Sequence, residues 1–202
     1  YGLVECLELI RFLQDDPECG GNAVMLGVPY GWRLQERDAL QDESLHKVLL
    51  AADILSPWTV GRYRSPDEMG KHRAVMAADQ AWLEQRGKSY LPVAFPGFSW
   101  HNLKPDSPLD QIPRQKGRFL WSQYVGARRA GATMIYQAMF DEVDEATAIF
   151  KCTNSPPVGE SRFVTYEGLP SDHYLWLTGL GAKMLRKEIP VQSLMPERPQ
   201  SK

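Results

Sequence analysis

The sequence predicts an α/β protein built on a parallel sheet, and three observations carry that expectation. Short apolar runs that suit buried strands recur at intervals of roughly 30 to 40 residues, the spacing of βα units. A helical pattern lies between most neighbouring runs. Aromatic and polar residues gather directly after the runs, where ligands meet the carboxyl ends of strands in parallel folds. A closed eight-unit (β/α)8 TIM barrel needs ~250 residues, so five strands in a chain of 202 residues would be about the last five βα units of eight. The other arrangement that fits this pattern is a complete, open, doubly wound sheet.

In chain order, residues 3–13 carry apolar side chains at helical spacing and end at Asp15-Asp16-Pro17 and Gly20-Gly21. The run 23–28 reads as the first strand. Residues 45–52 read as a helix, and 53–56 as a second strand stopped by Pro57. Ser65-Pro66-Asp67-Glu68 opens a long helix: a hydroxyl at the N-cap, proline in the first turn and acids near the positive end of the dipole. That helix runs to about Gln85. Residues 90–95 form the third strand, broken by Pro96-Gly97. A polar, proline-containing loop spans 99–116. A helix is expected over 119–130, a fourth strand over 132–140, a fifth over 162–166 and a last helix over 172–187. Residues 1–190 form the barrel portion, and the polar, proline-rich tail 191–202 is expected to fray.

Composition excludes several classes. The net charge of -2 offers no basic surface for nucleic acid, and no apolar run approaches the ~20 residues that span a bilayer. Cys6, Cys19 and Cys152 form no C-x-x-C signature, so they read as free thiols, with one bridge possible. No glycine-rich nucleotide loop, His-rich metal motif or Gly-x-Ser-x-Gly elbow follows any strand, so neither cofactor nor metal is expected. The opening Tyr1-Gly2-Leu3 leads straight into a helical pattern, and the chain reads as a fragment or processed product.

The loops after the strands hold the unusual residues. Tyr30, Trp32 and Arg33 follow the first; Trp58, Arg62 and Tyr63 the second; Trp100, His101 and Asn102 the third. Indole faces suit the C–H faces of sugar rings, with the N–H as a polar handle. Trp32, Trp58 and Trp100 are therefore candidate sugar contacts, with capping of the core as the competing reading. Trp82, Trp121 and Trp176 sit at helical spacing and read as packing. His46, His72 and His173 read as surface residues. The fourth strand ends in Asp141-Glu142-Val143-Asp144-Glu145. Crowded carboxylates raise at least one pKa, as general acid catalysis requires, and glycoside cleavage uses two carboxyl groups in different protonation states. A solvated acidic turn is the plain alternative.

These residues resemble a known family. Met139-Phe140-Asp141-Glu142-Val143-Asp144-Glu145-Ala146-Thr147-Ala148-Ile149 resembles the strand-end motif of glycoside hydrolase family 99, the endo-α-mannosidases and mannanases, which runs Phe-Asn-Glu-Trp-His-Glu-Gly-Thr-Gln-Ile. Pro96-Gly97-Phe98 resembles its Pro-Gly-Tyr segment, and Arg114-Gln115-Lys116-Gly117-Arg118-Phe119 its Arg-x-x-Gly-x-Tyr segment. Leu169-Pro170-Ser171-Asp172-His173-Tyr174-Leu175 is similar to a bacterial subgroup described as family 99- and 71-like.

The resemblance implies a (β/α)8 barrel and retaining cleavage of an α-linked oligo- or polysaccharide, possible substrates including an α-mannoside. Position by position, Glu142 corresponds to the base that acts on the sugar 2-hydroxyl, favouring a 1,2-anhydro intermediate, and Glu145 to the general acid that then serves as base. Tyr30, Trp32, Trp58, Arg62, Trp100, His101, Arg114 and Asp141 are the candidate substrate contacts. The sequence departs from the motif at Asp141, Val143, Asp144, Ala146 and Ala148, so the reaction class carries over better than the sugar. The rival reading is a non-catalytic carbohydrate-binding barrel; a third is a fragment without activity of its own. Polysaccharide hydrolases usually work outside the cytoplasm, so a secreted or periplasmic location is expected.

Overall fold

The computed structural model describes residues 2–199. Helix α1 (Leu3–Asp15) precedes strand β1 (Met25–Val28). Helix α2 (Leu45–Leu49), strand β2 (Ile54–Pro57), helix α3 (Pro66–Glu84) and the short strands β3 (Ser89–Tyr90) and β4 (Val93–Ala94) follow. Helix α4 (Arg118–Arg129), strand β5 (Tyr136–Gln137) and helix α5 (His173–Leu185) complete the chain.

Every strand pairing is parallel. β1 pairs with β2 in the register Met25↔Ile54 to Val28↔Pro57. β2 pairs with β3, and β4 with β5. β3 and β4 are one extended stretch interrupted at Leu91-Pro92, where the chain changes partners. The Leu91 N–H donates to Leu55 O at 2.9 Å, while Pro92 O accepts from Tyr136 N at 2.8 Å. Proline lacks an N–H but keeps its carbonyl, so it suits this hand-over. The spatial order β1, β2, β3/β4, β5 therefore follows chain order, as in a barrel; a doubly wound sheet reverses direction at its switch point.

The start of α3 is as expected: the Ser65 hydroxyl accepts from Glu68 N at 3.2 Å, with Pro66 in the first turn. One apolar cluster joins β1–β3 to α1–α3, including Leu55, Met76 and Leu83. A second lies between α4 and α5, around Trp121, Tyr124, Tyr174 and Leu177. All three cysteines are free. Among the described residues, no helix is long and apolar enough to cross a membrane.

Several expectations are corrected. Residues 162–166 form no strand. Strand preference is realised through neighbours, and this segment pairs with no strand. Instead the Arg162 N–H donates to Asn102 Oδ1 at 3.1 Å, and Tyr166 is buried beside Tyr174. His72 and His173 are buried rather than on the surface: α3 packs against both α4 and β3, and Tyr63 stacks on the His72 ring at 4.7 Å. The described part of the tail contacts α4. Trp121 Nε1 donates to Gln192 O at 3.0 Å, and Arg129 Nη2 to Ser193 Oγ at 2.7 Å. The last three residues of the tail lie outside the described residues, as does Tyr1.

Candidate active site

The loops leaving β2, β4 and β5 meet in one cleft. Its volume is about 460 Å³, and Trp58, Arg62, Phe98, Trp100, Gln111 and Glu145 line it. Each residue arrives for a local reason. Pro57 ends β2 and turns Trp58 outward, where its ring meets Tyr136 edge-on at 6.4 Å. An antiparallel bridge between Phe98 and Ile112, with both N···O distances at 3.0 Å, folds the 99–111 loop back on itself and delivers Gln111 to the cleft. The two indoles stay accessible, Trp58 at 45% and Trp100 at 38%. Lys104 Nζ sits 3.7 Å from the Trp100 ring centroid.

The acidic segment after β5 is a tight, heavily bonded turn. Thr147 N and Ala148 N both donate to Glu142 O, at 3.1 and 2.8 Å, and Ile149 N and Phe150 N donate to Phe140 O. Ser99 N donates to Glu145 O at 2.8 Å, tying the turn to the β4 loop. Asn102 Nδ2 donates to Asp144 O at 3.1 Å and to Arg162 O at 3.0 Å. This is a built turn rather than a loose solvated one.

The two glutamates occupy different settings. Glu142 Oε2 accepts from the Thr147 hydroxyl at 2.7 Å. Glu145 lies in the cleft wall, and its pKa is raised. Partial burial is the main cause, followed by the negative charges of Glu142 and Asp144; the nearby Trp100 indole N–H opposes the shift. Asp141 and Asp144 face solvent. Among the described residues, no group of three or more His, Cys, Asp and Glu side chains is arranged to hold a metal.

The other candidates divide. Trp58, Arg62 and Trp100 come together in the cleft, with Arg62 ion-paired to Asp38. Tyr30 lies elsewhere, in a small depression with Arg33 and Asp79, its hydroxyl 3.0 Å from His72 Nδ1. His101 closes its own loop through a 2.8 Å contact between Nδ1 and Ser107 O.

Two expectations fail on burial. Trp32 is 0% exposed. The tight turn at Gly31, where a Cβ would stand 2.0 Å from Glu36 O, folds the chain back, and the indole packs edge-on against Trp82 at 5.2 Å. Arg114 is 2% exposed, and its guanidinium points into the protein rather than toward the cleft. Gln111 is not among the sequence candidates; its place in the cleft depends on the Phe98–Ile112 bridge, of which the apolar Phe98 and Ile112 are the only local sign.

No family model and no curated protein matches the chain. Among solved structures, a GH99 endo-α-mannosidase from Bacteroides thetaiotaomicron, in complex with bis-tris-propane, is similar over 91% of this chain and 54% of its own. Its TM-score is 0.66 and its identity 17%. A second structure of the GH99 endo-α-mannosidase from that organism matches over 90% and 51%, with a TM-score of 0.65 and 16% identity. The chain thus shares the fold of about half of these structures.

Proposed function

We propose that this chain supplies the C-terminal part of a glycoside hydrolase barrel that cleaves an α-linked oligo- or polysaccharide, an α-mannoside being the first to test, with retention. The observation that carries the proposal is the setting of Glu145: a carboxyl group with a raised pKa in the wall of a cleft that also presents two exposed indoles. The likeness in fold to the endo-α-mannosidases supports the same reading.

In this mechanism the sugar lies against Trp58 and Trp100. Glu145, whose pKa is raised by burial and by its acidic neighbours, gives its proton to the glycosidic oxygen as the bond to C1 breaks. Glu142 removes the proton of the 2-hydroxyl, whose oxygen closes on C1. Water then opens the 1,2-anhydro ring, with Glu145 as base and Glu142 returning its proton to O2. Two inversions at C1 give net retention. A polymeric substrate favours a secreted or periplasmic site of action.

The test is Glu145→Gln in the protein that carries this chain, assayed for reducing ends released from α-mannans and other α-linked polysaccharides. Loss of a positioned acid should lower turnover by about 10²- to 10⁴-fold, with glycan binding retained. Unchanged hydrolysis would refute the assignment. Glycan binding by the wild type without cleavage of any substrate would favour the carbohydrate-binding reading, which the change from Trp-His to Val143-Asp144 between the glutamates makes worth testing.

A further inference from the structure

A buried arginine normally faces a carboxylate, because a guanidinium removed from water needs compensation. Arg114 does not follow this pattern. Among the described residues it forms no ion pair. Its Nη2 instead donates to two backbone carbonyls, Ala146 O at 2.8 Å and Ala148 O at 2.9 Å. The Tyr166 and Tyr174 rings flank the guanidinium at 4.8 and 4.5 Å.

Those carbonyls belong to the turn that carries the paired glutamates. Ala146 has a φ of 58°, a left-handed conformation that non-glycine residues hold only when their surroundings over-determine it. The amides on its C-terminal side, Thr147 N and Ala148 N, bind Glu142 O. On the other side, Ser99 N binds Glu145 O. Tyr166 adds a second clamp, its hydroxyl lying 2.6 Å from Phe150 O and 3.2 Å from Ala148 O. Residue 97 leaves room for the arginine stem: a Cβ there would stand 2.7 Å from Arg114 Cγ.

We infer that Arg114 is a positioning residue whose guanidinium fixes the 142–148 turn and thereby the placement of Glu142 and Glu145. It touches no substrate, and its role in turnover rests on the proposed function. Its action is geometric. It holds the carbonyls of a left-handed turn in place, and the glutamates on that turn inherit the order.

The experiment compares Arg114→Met, which keeps the volume and removes the donor, with Arg114→Lys, which keeps a charged donor, in the protein that carries this chain. Amide hydrogen exchange is followed across residues 139–150, alongside kcat and KM. The methionine variant should exchange faster at Thr147, Ala148 and Ile149 while α3 and α4 keep their protection. Its kcat should fall by about 10²-fold at near-constant KM, the scale of a misplacement of about 1 Å. Lysine should restore at least a tenth of wild-type kcat. Wild-type exchange in 139–150, or a change confined to KM, overturns the inference. Should Arg114→Met not fold, Tyr166→Phe weakens the same turn and should raise exchange there; unchanged exchange would again count against it. A wild type that cleaves no glycan refutes the proposed function, and the exchange comparison still decides the role of Arg114.

Discussion

His72 should make the fold lose stability as the pH falls below neutral, by an amount its burial sets. The ring is 6% exposed, stacked on Tyr63, with Tyr30 Oη 3.0 Å from Nδ1. Its Nε2 is buried and has no hydrogen-bond partner among the described residues. Protonation would therefore place a charge among aromatic rings, and burial lowers the pKa from 6.5 to about 4. The unfolded chain takes up the proton near pH 6.5, whereas the folded chain resists until about 4, so between these values the unfolded state binds more protons. Stability is full above about pH 6.5 and declines to a floor near pH 4. A difference of about 2.5 units, at 1.36 kcal/mol per unit, gives roughly 3 kcal/mol.

The assay is urea unfolding of the wild type and His72→Gln at pH 7 and pH 4.5. Carboxylates also titrate in this range, but their contribution is common to both proteins and cancels in the double difference. Glutamine cannot take up a proton, so the variant should lose roughly 2 to 3 kcal/mol less than the wild type on acidification. Equal losses in the two proteins would show that His72 is not held neutral by its surroundings.

Gly97→Ala should destabilise the fold, because the added Cβ would stand 2.7 Å from Arg114 Cγ and 2.9 Å from Ile112 O. Overpacking of this kind costs about 1–3 kcal/mol, or a fall in Tm of about 2–4 °C per kcal/mol for a chain of this size; an unchanged Tm would contradict the packing described. Trp58→Ala and Trp100→Ala should each weaken oligosaccharide binding while leaving Trp32→Phe near wild type in affinity, as isothermal titration would measure. Trp32→Phe should instead lower Tm, since Trp32 is buried against Trp82. A reducing agent should leave Tm unchanged, because Cys6, Cys19 and Cys152 are free.

The fold was legible where local chemistry agrees with tertiary demand. Ser65-Pro66-Asp67-Glu68 announces α3 because a hydroxyl N-cap and a first-turn proline solve a backbone problem that exists whatever packs nearby. The run Asp53-Ile54-Leu55-Ser56 announces β2 because a strand covered on both faces needs consecutive apolar residues. Residues 162–166 show the limit: the same residue types form no strand where they pair with no neighbouring strand. For the candidate site, the position of Trp58, Trp100, Glu142 and Glu145 after strand ends was legible. Trp32 was not, because its direction depends on the tight turn at Gly31, and composition does not reveal which way a turn folds. Arg114 is a substrate-contact candidate only through its family-like segment, and that segment does not show that its guanidinium is satisfied by carbonyls from residues more than thirty positions away.

The order of the strands bears on the candidate site as well as the fold. Because β1, β2, β3/β4 and β5 lie side by side in chain order and all run parallel, the loops after β2, β4 and β5 must emerge at one end. Trp58, Trp100 and Glu145 therefore converge without any long connection to bring them together. What distinguishes this site from an ordinary rim is the asymmetry within its acidic turn. Glu142 is engaged by Thr147, while Glu145 stands in the cleft, partly buried and repelled by its acidic neighbours. A turn selected only for solubility would gain nothing from a buried arginine, a left-handed alanine and three separate backbone anchors. Those features act on position, and position is what the proposed pair of carboxyl groups would require.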